Sequence, residues 1–342
     1  MTSYERLLNA VCGRPCDRTP VAPQLFGNAA RLNGHCLQEY VTDGRVLAES
    51  QLKLRNDIGH DILFAFADLN IEAEALGCVL RYEKDSYPSI EKHVLASVCD
   101  IAGIEIVAPS HSGRMPVVLE ACTRLRESAG DDCVVTACVM GPISIASQLM
   151  GIEAFLYRLA DAPVEVNSVL DLAEHVAVAY GKALLQAGAH CIVVFDPIAS
   201  PSVLPLSLFV NYEFPRLKRM SQAFKAAGAP ISWISIAGAT QKLMPYFKGA
   251  GINLATVDYV VPLSEAFEIA DSMALNGNLK PYSFVSDTPE ALKAKIKQCL
   301  LDARGHARYI LGSGCEVPVE TKIESLRAMM EAVREFHAEE RH

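Results

Sequence analysis

The stretch Gly188-Ala-His-Cys-Ile-Val-Val-Phe-Asp-Pro197 decides the fold. Its centre, Cys191 to Phe195, is an unbroken apolar run rich in β-branched residues. It is too short for a helix and shows no alternation. That pattern predicts a strand covered on both faces, as in a parallel sheet. The run ends at Asp196, because Pro197 cannot extend a central strand. A carboxylate therefore sits at the strand's C-terminal end, which in an α/β barrel is the mouth where the chemistry happens. The simpler alternative is that Asp196 caps the loop that follows.

Outward from this run the same unit recurs. Strand candidates are Val21 to Phe26, Ile62 to Phe66 with Asp68 after it, and Cys133 to Met140 before Gly141-Pro142. The second half adds Pro230 to Ile236, Leu254 to Val257 with Asp258 after it, Met273 to Gly277, and Arg308 to Leu311. Helical patterns separate them, among them Ile145 to Leu159, Pro163 to Gln186, Leu206 to Ala227 and Thr321 to His337. Roughly eight strands, nearly all followed by a helix and with no Pro/Gly/Ser-rich linker, predict a (β/α)8 TIM barrel spanning residues 1–342 as one domain. Cys78 to Tyr82 and the segment near Ile90 read as a small hairpin inserted near 78–92. No Gly-x-Gly-x-x-Gly follows the first strand, which argues against a dinucleotide fold.

Composition narrows the class. Of 342 residues 51% are apolar, enough for a large core, and the formal net charge of −9 disfavours nucleic acid as a partner. Met1-Thr-Ser-Tyr-Glu-Arg lacks a basic segment followed by an apolar one, and no apolar run approaches the ~20 residues that span a bilayer. The expectation is a cytoplasmic protein, no membrane contact, and eleven reduced cysteines.

The order of the remaining motifs carries a resemblance. Asp17-Arg-Thr-Pro20, Asp68 with Ile71-Glu-Ala-Glu-Ala-Leu-Gly77, and Gly141-Pro142 with Ser147 and Gly151 lie in the first half. Asp196-Pro197, Gly238, Asp258, Asn276-Gly-Asn-Leu-Lys-Pro281 and Gly312-Ser-Gly-Cys-Glu-Val-Pro318 follow. In this order the chain resembles the uroporphyrinogen decarboxylase superfamily over nearly its whole length. Within it the likeness is to the cobamide-dependent methyltransferases of the methylcobalamin:coenzyme M type. The resemblance implies a (β/α)8 barrel with its site at the strand C-termini.

Two branches make different demands. The decarboxylase branch holds several substrate carboxylates with an Arg-rich stretch. Here that stretch is Phe26-Gly-Asn-Ala-Ala-Arg31, and a lone Arg is a poor clamp. That branch also expects a Tyr at Gln148 and a His at Cys315, although Asp68 matches its acid. The thiol-methylating branch implies zinc held by His-x-Cys and a Cys in the last loop. This chain has Ser235-Ile-Ala-Gly238 there, so Cys315 alone survives. Serine and alanine do not replace imidazole and thiolate as zinc ligands. Cys315 then reads as a relic, a packing residue or a ligand of a rebuilt site. For such a site Asp258 is the companion, with Asp68, Glu72, Glu74, Asp196 and His111 as further donors.

What remains is methyl transfer with a corrinoid and without the usual zinc triad. The expectation is demethylation of a small methylated donor, such as a methoxyaromatic. The methyl group would pass to a corrinoid carried by a partner protein, since no corrinoid domain is visible. The leaving oxygen needs an acid, for which Asp68, Asp196 and His111 are the catalytic candidates. Asp68 and Asp196 are expected to matter more for turnover than for stability, because carboxylates in an apolar mouth cost desolvation that a fold does not need. Phe26, Asn28, Phe66, Glu74, Met140, Tyr212, Trp233 and Ser235 are the candidates for binding substrate. A homodimer fits this expectation. The alternatives are a tetrapyrrole decarboxylase and a non-catalytic corrinoid-binding protein.

Overall fold

The short apolar runs become the staves of a curled parallel sheet. The computed structural model describes residues 1–96, 98–106 and 108–340. Its strands in chain order are β1 (Ile62–Ala65), β2 (Val79–Glu83), β3 (Ser86–Lys92), β4 (Val134–Met140), β5 (Cys191–Phe195), β6 (Ile231–Ser235), β7 (Leu254–Val257), β8 (Ala274–Leu279) and β9 (Tyr309–Ser313). Among the described residues seven of them form one sheet in the order β1-β4-β5-β6-β7-β8-β9, every pair parallel. Every residue of β1, β4, β5, β7 and β9 is buried, as strands covered on both faces require.

The segment expected as a strand over Val21 to Phe26 closes the ring with a single bridge, Val21 to Leu311. On the β9 side the N–H of Ala22 donates to Leu311 O and that of Leu311 to Pro20 O, while on the β1 side the N–H of Asp61 donates to Val21 O. Pro20 and Pro23 have no N–H to give a longer ladder, and the chain turns at Phe26 into the helix Gly27–Leu32. This short stave occupies the eighth position, which makes the architecture a TIM-type barrel.

Two helices differ from the sequence reading. The one expected over Ile145 to Leu159 is two, Pro142–Met150 and Ile152–Asp161, parted at Gly151, whose φ of 86° is left-handed. The one expected over Leu206 to Ala227 contains a wide π turn, Phe209–Glu213, before the helix Phe214–Ala226. Pro215 has no N–H and its ring would crowd the carbonyl one turn back, so the backbone widens ahead of it.

β2 and β3 pair antiparallel as a hairpin outside the ring. At the opposite, N-terminal end, the motif at 17–20 is structural. Arg6 clasps Asp17 with two bonds of 2.6 and 2.8 Å, and Arg6 and Arg18 both reach the fully buried Asp61. Among the described residues no helix is long and apolar enough to cross a membrane.

Candidate functional site

Asp68, Asp196, Asp258 and Cys315 follow the C-terminal ends of β1, β5, β7 and β9, so the parallel ring carries all four to one end. They face different things. A cavity of about 310 Å³ opens at that end, and Asp68 and Cys315 line it while Asp196 and Asp258 do not.

Three phenylalanine rings wall the cavity. Phe26, Phe66 and Phe195 stand with centroids 4.7, 5.4 and 5.9 Å apart, two of the three pairs edge to face. Of the expected binding residues Phe26, Phe66 and Ser235 line the cavity, and so does Ala237. Gln24 joins them and donates to the Ser235 hydroxyl at 3.1 Å.

The residue that sequence reasoning missed is Glu316. It is half-buried in the cavity wall beside Cys315. Burial pushes its carboxyl up to about 7, opposed by a hydrogen bond from Tyr87. The Tyr87 hydroxyl donates to Glu316 Oε1 at 2.6 Å and accepts from the N–H of Gly27 at 2.7 Å. A side chain at Gly27 would put its Cβ 2.6 Å from that hydroxyl, so the approach requires glycine. Glu316 belongs to the stretch Gly312-Ser-Gly-Cys-Glu-Val-Pro318, but Tyr87 comes from β3 of the inserted hairpin, 229 residues away. No local signal joins them.

Asp68 is paired. Arg114 Nη1 donates to its Oδ2 at 2.5 Å, while Arg114 Nε donates to Glu74 Oε2 at 2.8 Å. Tyr82 donates to the other oxygen of Glu74 and lies under the guanidinium. Glu74 thus belongs to the support of Asp68 rather than to the cavity lining. Asn70 ties the network together: its N–H donates to Asp68 Oδ1, its amide donates to Pro88 O of the hairpin, and it accepts from Gln148.

Asp196 is fully buried and turned from the cavity. It accepts the N–H groups of Ile143 and Ser144 at 3.2 and 3.0 Å, the Ser144 hydroxyl at 2.6 Å and the N–H of Ala199 at 3.3 Å. It is an anion seated on the first turn of the helix Pro142–Met150. Glu213, on the π turn, faces it. Burial raises both carboxyls, Asp196 to about 6 and Glu213 well above its usual range, the latter pushed further by Asp196. Glu213 therefore stays protonated to higher pH than Asp196 does. Gly141 leaves no room here, for an added Cβ would lie 2.1 Å from Asp196 Oδ2. Gly141→Ala is therefore expected to destabilise the protein by about 1–3 kcal/mol, the scale of overpacking. A melting temperature within a degree of wild type would contradict that anchor.

The other expected residues lie outside the lining. Met140 is buried and its N–H donates to Glu72 Oε1, whose carboxyl burial pushes up to about 7. Trp233 is buried inside the ring, its indole N–H on Thr256 Oγ1 at 2.9 Å. Tyr212 is buried in the π turn and its carbonyl accepts from Arg216. Asn28 is fully buried in the helix Gly27–Leu32, neither amide atom bonded. His111 is exposed on the 3-10 turn Pro109–His111, bonded to the Ser110 hydroxyl. Asp258 accepts the N–H groups of Gly238 and Val260. Each is held by loop or helix backbone or by core packing, which strand-end position alone does not reveal.

The fit to zinc fails on the donor set. Ser235 and Ala237 offer a hydroxyl and a methyl group at the cavity, and the Cys315 thiol is pushed up, first by desolvation. Among the described residues no three His, Cys, Asp or Glu side chains converge to hold a metal ion.

The family model described as uroporphyrinogen decarboxylase (URO-D) matches residues 2–336. Methylated-thiol--coenzyme M methyltransferase of Methanosarcina mazei is 26% identical over 98% of this chain and 90% of its own length. Methylcobamide:CoM methyltransferase MtbA of Methanosarcina acetivorans is 27% identical over 98% and 99%. The solved structure of a methyltransferase from Methanosarcina mazei superposes with a TM-score of 0.90 at 25% identity, covering 98% of this chain and 99% of that one.

Proposed function

The chain belongs to the uroporphyrinogen decarboxylase family, and we propose that within it this chain is a corrinoid-dependent methyltransferase that demethylates a small methoxyaromatic donor. The observation that carries the reading is Glu316: a carboxyl held near-neutral by burial, on an aromatic cavity at the strand C-termini. The relatives named for methyl transfer to coenzyme M support the methyl-transfer class. The hydroxyl and methyl group of Ser235 and Ala237, at the place expected to activate a thiol, favour the demethylating direction.

A reduced corrinoid brought by a partner protein would supply the nucleophile for the methyl carbon. This chain's residues do the rest. Phe26, Phe66 and Phe195 enclose the arene and exclude water. As the methyl–oxygen bond breaks, the electron pair stays on oxygen, and Glu316 delivers its proton there to give the phenol. Tyr87 positions that carboxyl. Asp68, neutralised by Arg114, holds the loop after β1 and the cavity wall it carries.

The test is turnover of methoxyarenes, methylamines and methyl thioethers, with a purified reduced corrinoid protein as acceptor. Phenol release that tracks methyl loading of the corrinoid is expected. Decarboxylation of a porphyrinogen, or methyl loading from thioethers alone, would sink the reading.

A further inference from the structure

The charge of the cavity sets which donors enter it. Resting on the methyl-transfer reading above, we propose that the site takes uncharged methoxyarenes and rejects those bearing a carboxylate or a sulfonate. Among the described residues that line the cavity there is no Lys, Arg or His; the ionisable acids are Asp68 and Glu316. The guanidinium behind the wall, Arg114, is committed to Asp68, Glu74 and Val41 O and is itself buried. His93, close to Gln148, has its Nδ1 on the Gln148 carbonyl and does not line the cavity.

An anionic substituent would lose its water and find no free cation among the lining side chains to replace it. A cation fares no better. Asp68 is already paired with Arg114, and Glu316 accepts the Tyr87 hydroxyl, so no free anion assists the three phenylalanine rings. Neutral arenes keep the ring contacts and avoid both costs.

The discriminating pair has one shape and two charges: 4-methoxybenzamide and 4-methoxybenzoate. Calorimetric titration of the full chain at pH 6.5, without corrinoid, is expected to show the amide binding and the benzoate weaker by about 100-fold or more, given several kcal/mol for an unpaired buried ion. A 4-methoxyphenyltrimethylammonium ion is expected to bind no tighter than the amide. Benzoate within threefold of the amide, a tighter cation, or no binding of any neutral methoxyarene would each overturn the proposal. Gln148→Arg puts a guanidinium on the lining and should raise benzoate affinity about tenfold or more; no gain in a variant with wild-type circular dichroism overturns it too. Neutral arenes that bind but never turn over would sink the methyl-transfer reading and leave the selectivity standing. Equal turnover of benzoate and amide would do the reverse.

Discussion

Glu316→Gln is expected to slow methyl transfer by about 100-fold or more, which is about 2.7 kcal/mol of barrier, with little change in donor KM. Glutamine keeps the shape and an acceptor for Tyr87 but has no proton to give. The pH profile supplies the second signature. A donor acid held at about 7 is competent when protonated, so wild-type rate should be flat at low pH and fall as pH rises through about 7. The Gln variant should lack that limb. Tyr87→Phe removes the hydrogen bond that favours the ionised form, so its limb should move to higher pH. Stopped-flow measurement of the single methyl-transfer turnover checks all three. A Gln variant within threefold of wild type, or one that slows while keeping the limb, would take the proton donor away from Glu316.

The second large effect is on folding. Asp196→Ala leaves three backbone N–H groups and the Ser144 hydroxyl without their buried acceptor. At about 1–3 kcal/mol for a buried unmet group, partly offset by relaxation, the expected loss is about 3–5 kcal/mol, read from the urea midpoint at unchanged slope. The sequence reading expects Asp196 to matter for turnover and little for stability; its buried hydrogen bonds are the ground for expecting the larger effect on stability.

The sign of the pH dependence follows from the same pair. The Asp196 carboxyl is raised from 3.8 to about 6, so the folded protein binds its proton more tightly than the unfolded chain does. Its contribution to stability is present below 3.8 and is lost as pH rises through about 6, with Glu213 extending the loss upward. Glu213→Gln, which cannot ionise, should flatten the upper part of that decline. A stability that rises with pH between 4 and 7 and is unaltered in Glu213→Gln would rule out this coupling of the two carboxyls.

The ring was legible because buried parallel strands leave a direct trace: Cys191 to Phe195 is apolar without alternation, Leu254 to Val257 is so but for Thr256, and each became a stave. The stave at Val21 was legible in position but not in length, since Pro23 ends a ladder that the apolar pattern alone would prolong. Part of the cavity could be read from strand ends, as Phe26, Phe66, Asp68, Ser235 and Cys315 show. The rest depends on which way a side chain turns after its strand. Asp196 and Asp68 look alike in sequence, yet the first meets a helix N-terminus and the second meets Arg114. That outcome is set by loops packed from elsewhere in the chain, and so is the meeting of Tyr87 with Glu316.

The hairpin of β2 and β3 stands outside the ring, yet it carries Tyr87 and Pro88 to the cavity. The scaffold and the adjustment of its acid are thus encoded in separable pieces of the gene. Lengthening, shortening or exchanging the hairpin would change the strength of the proton donor and the shape of the entrance while every stave kept its neighbours. A lineage could try new donors in this way at small risk to folding, which makes the insert the part of the chain most open to inheritance of a changed chemistry.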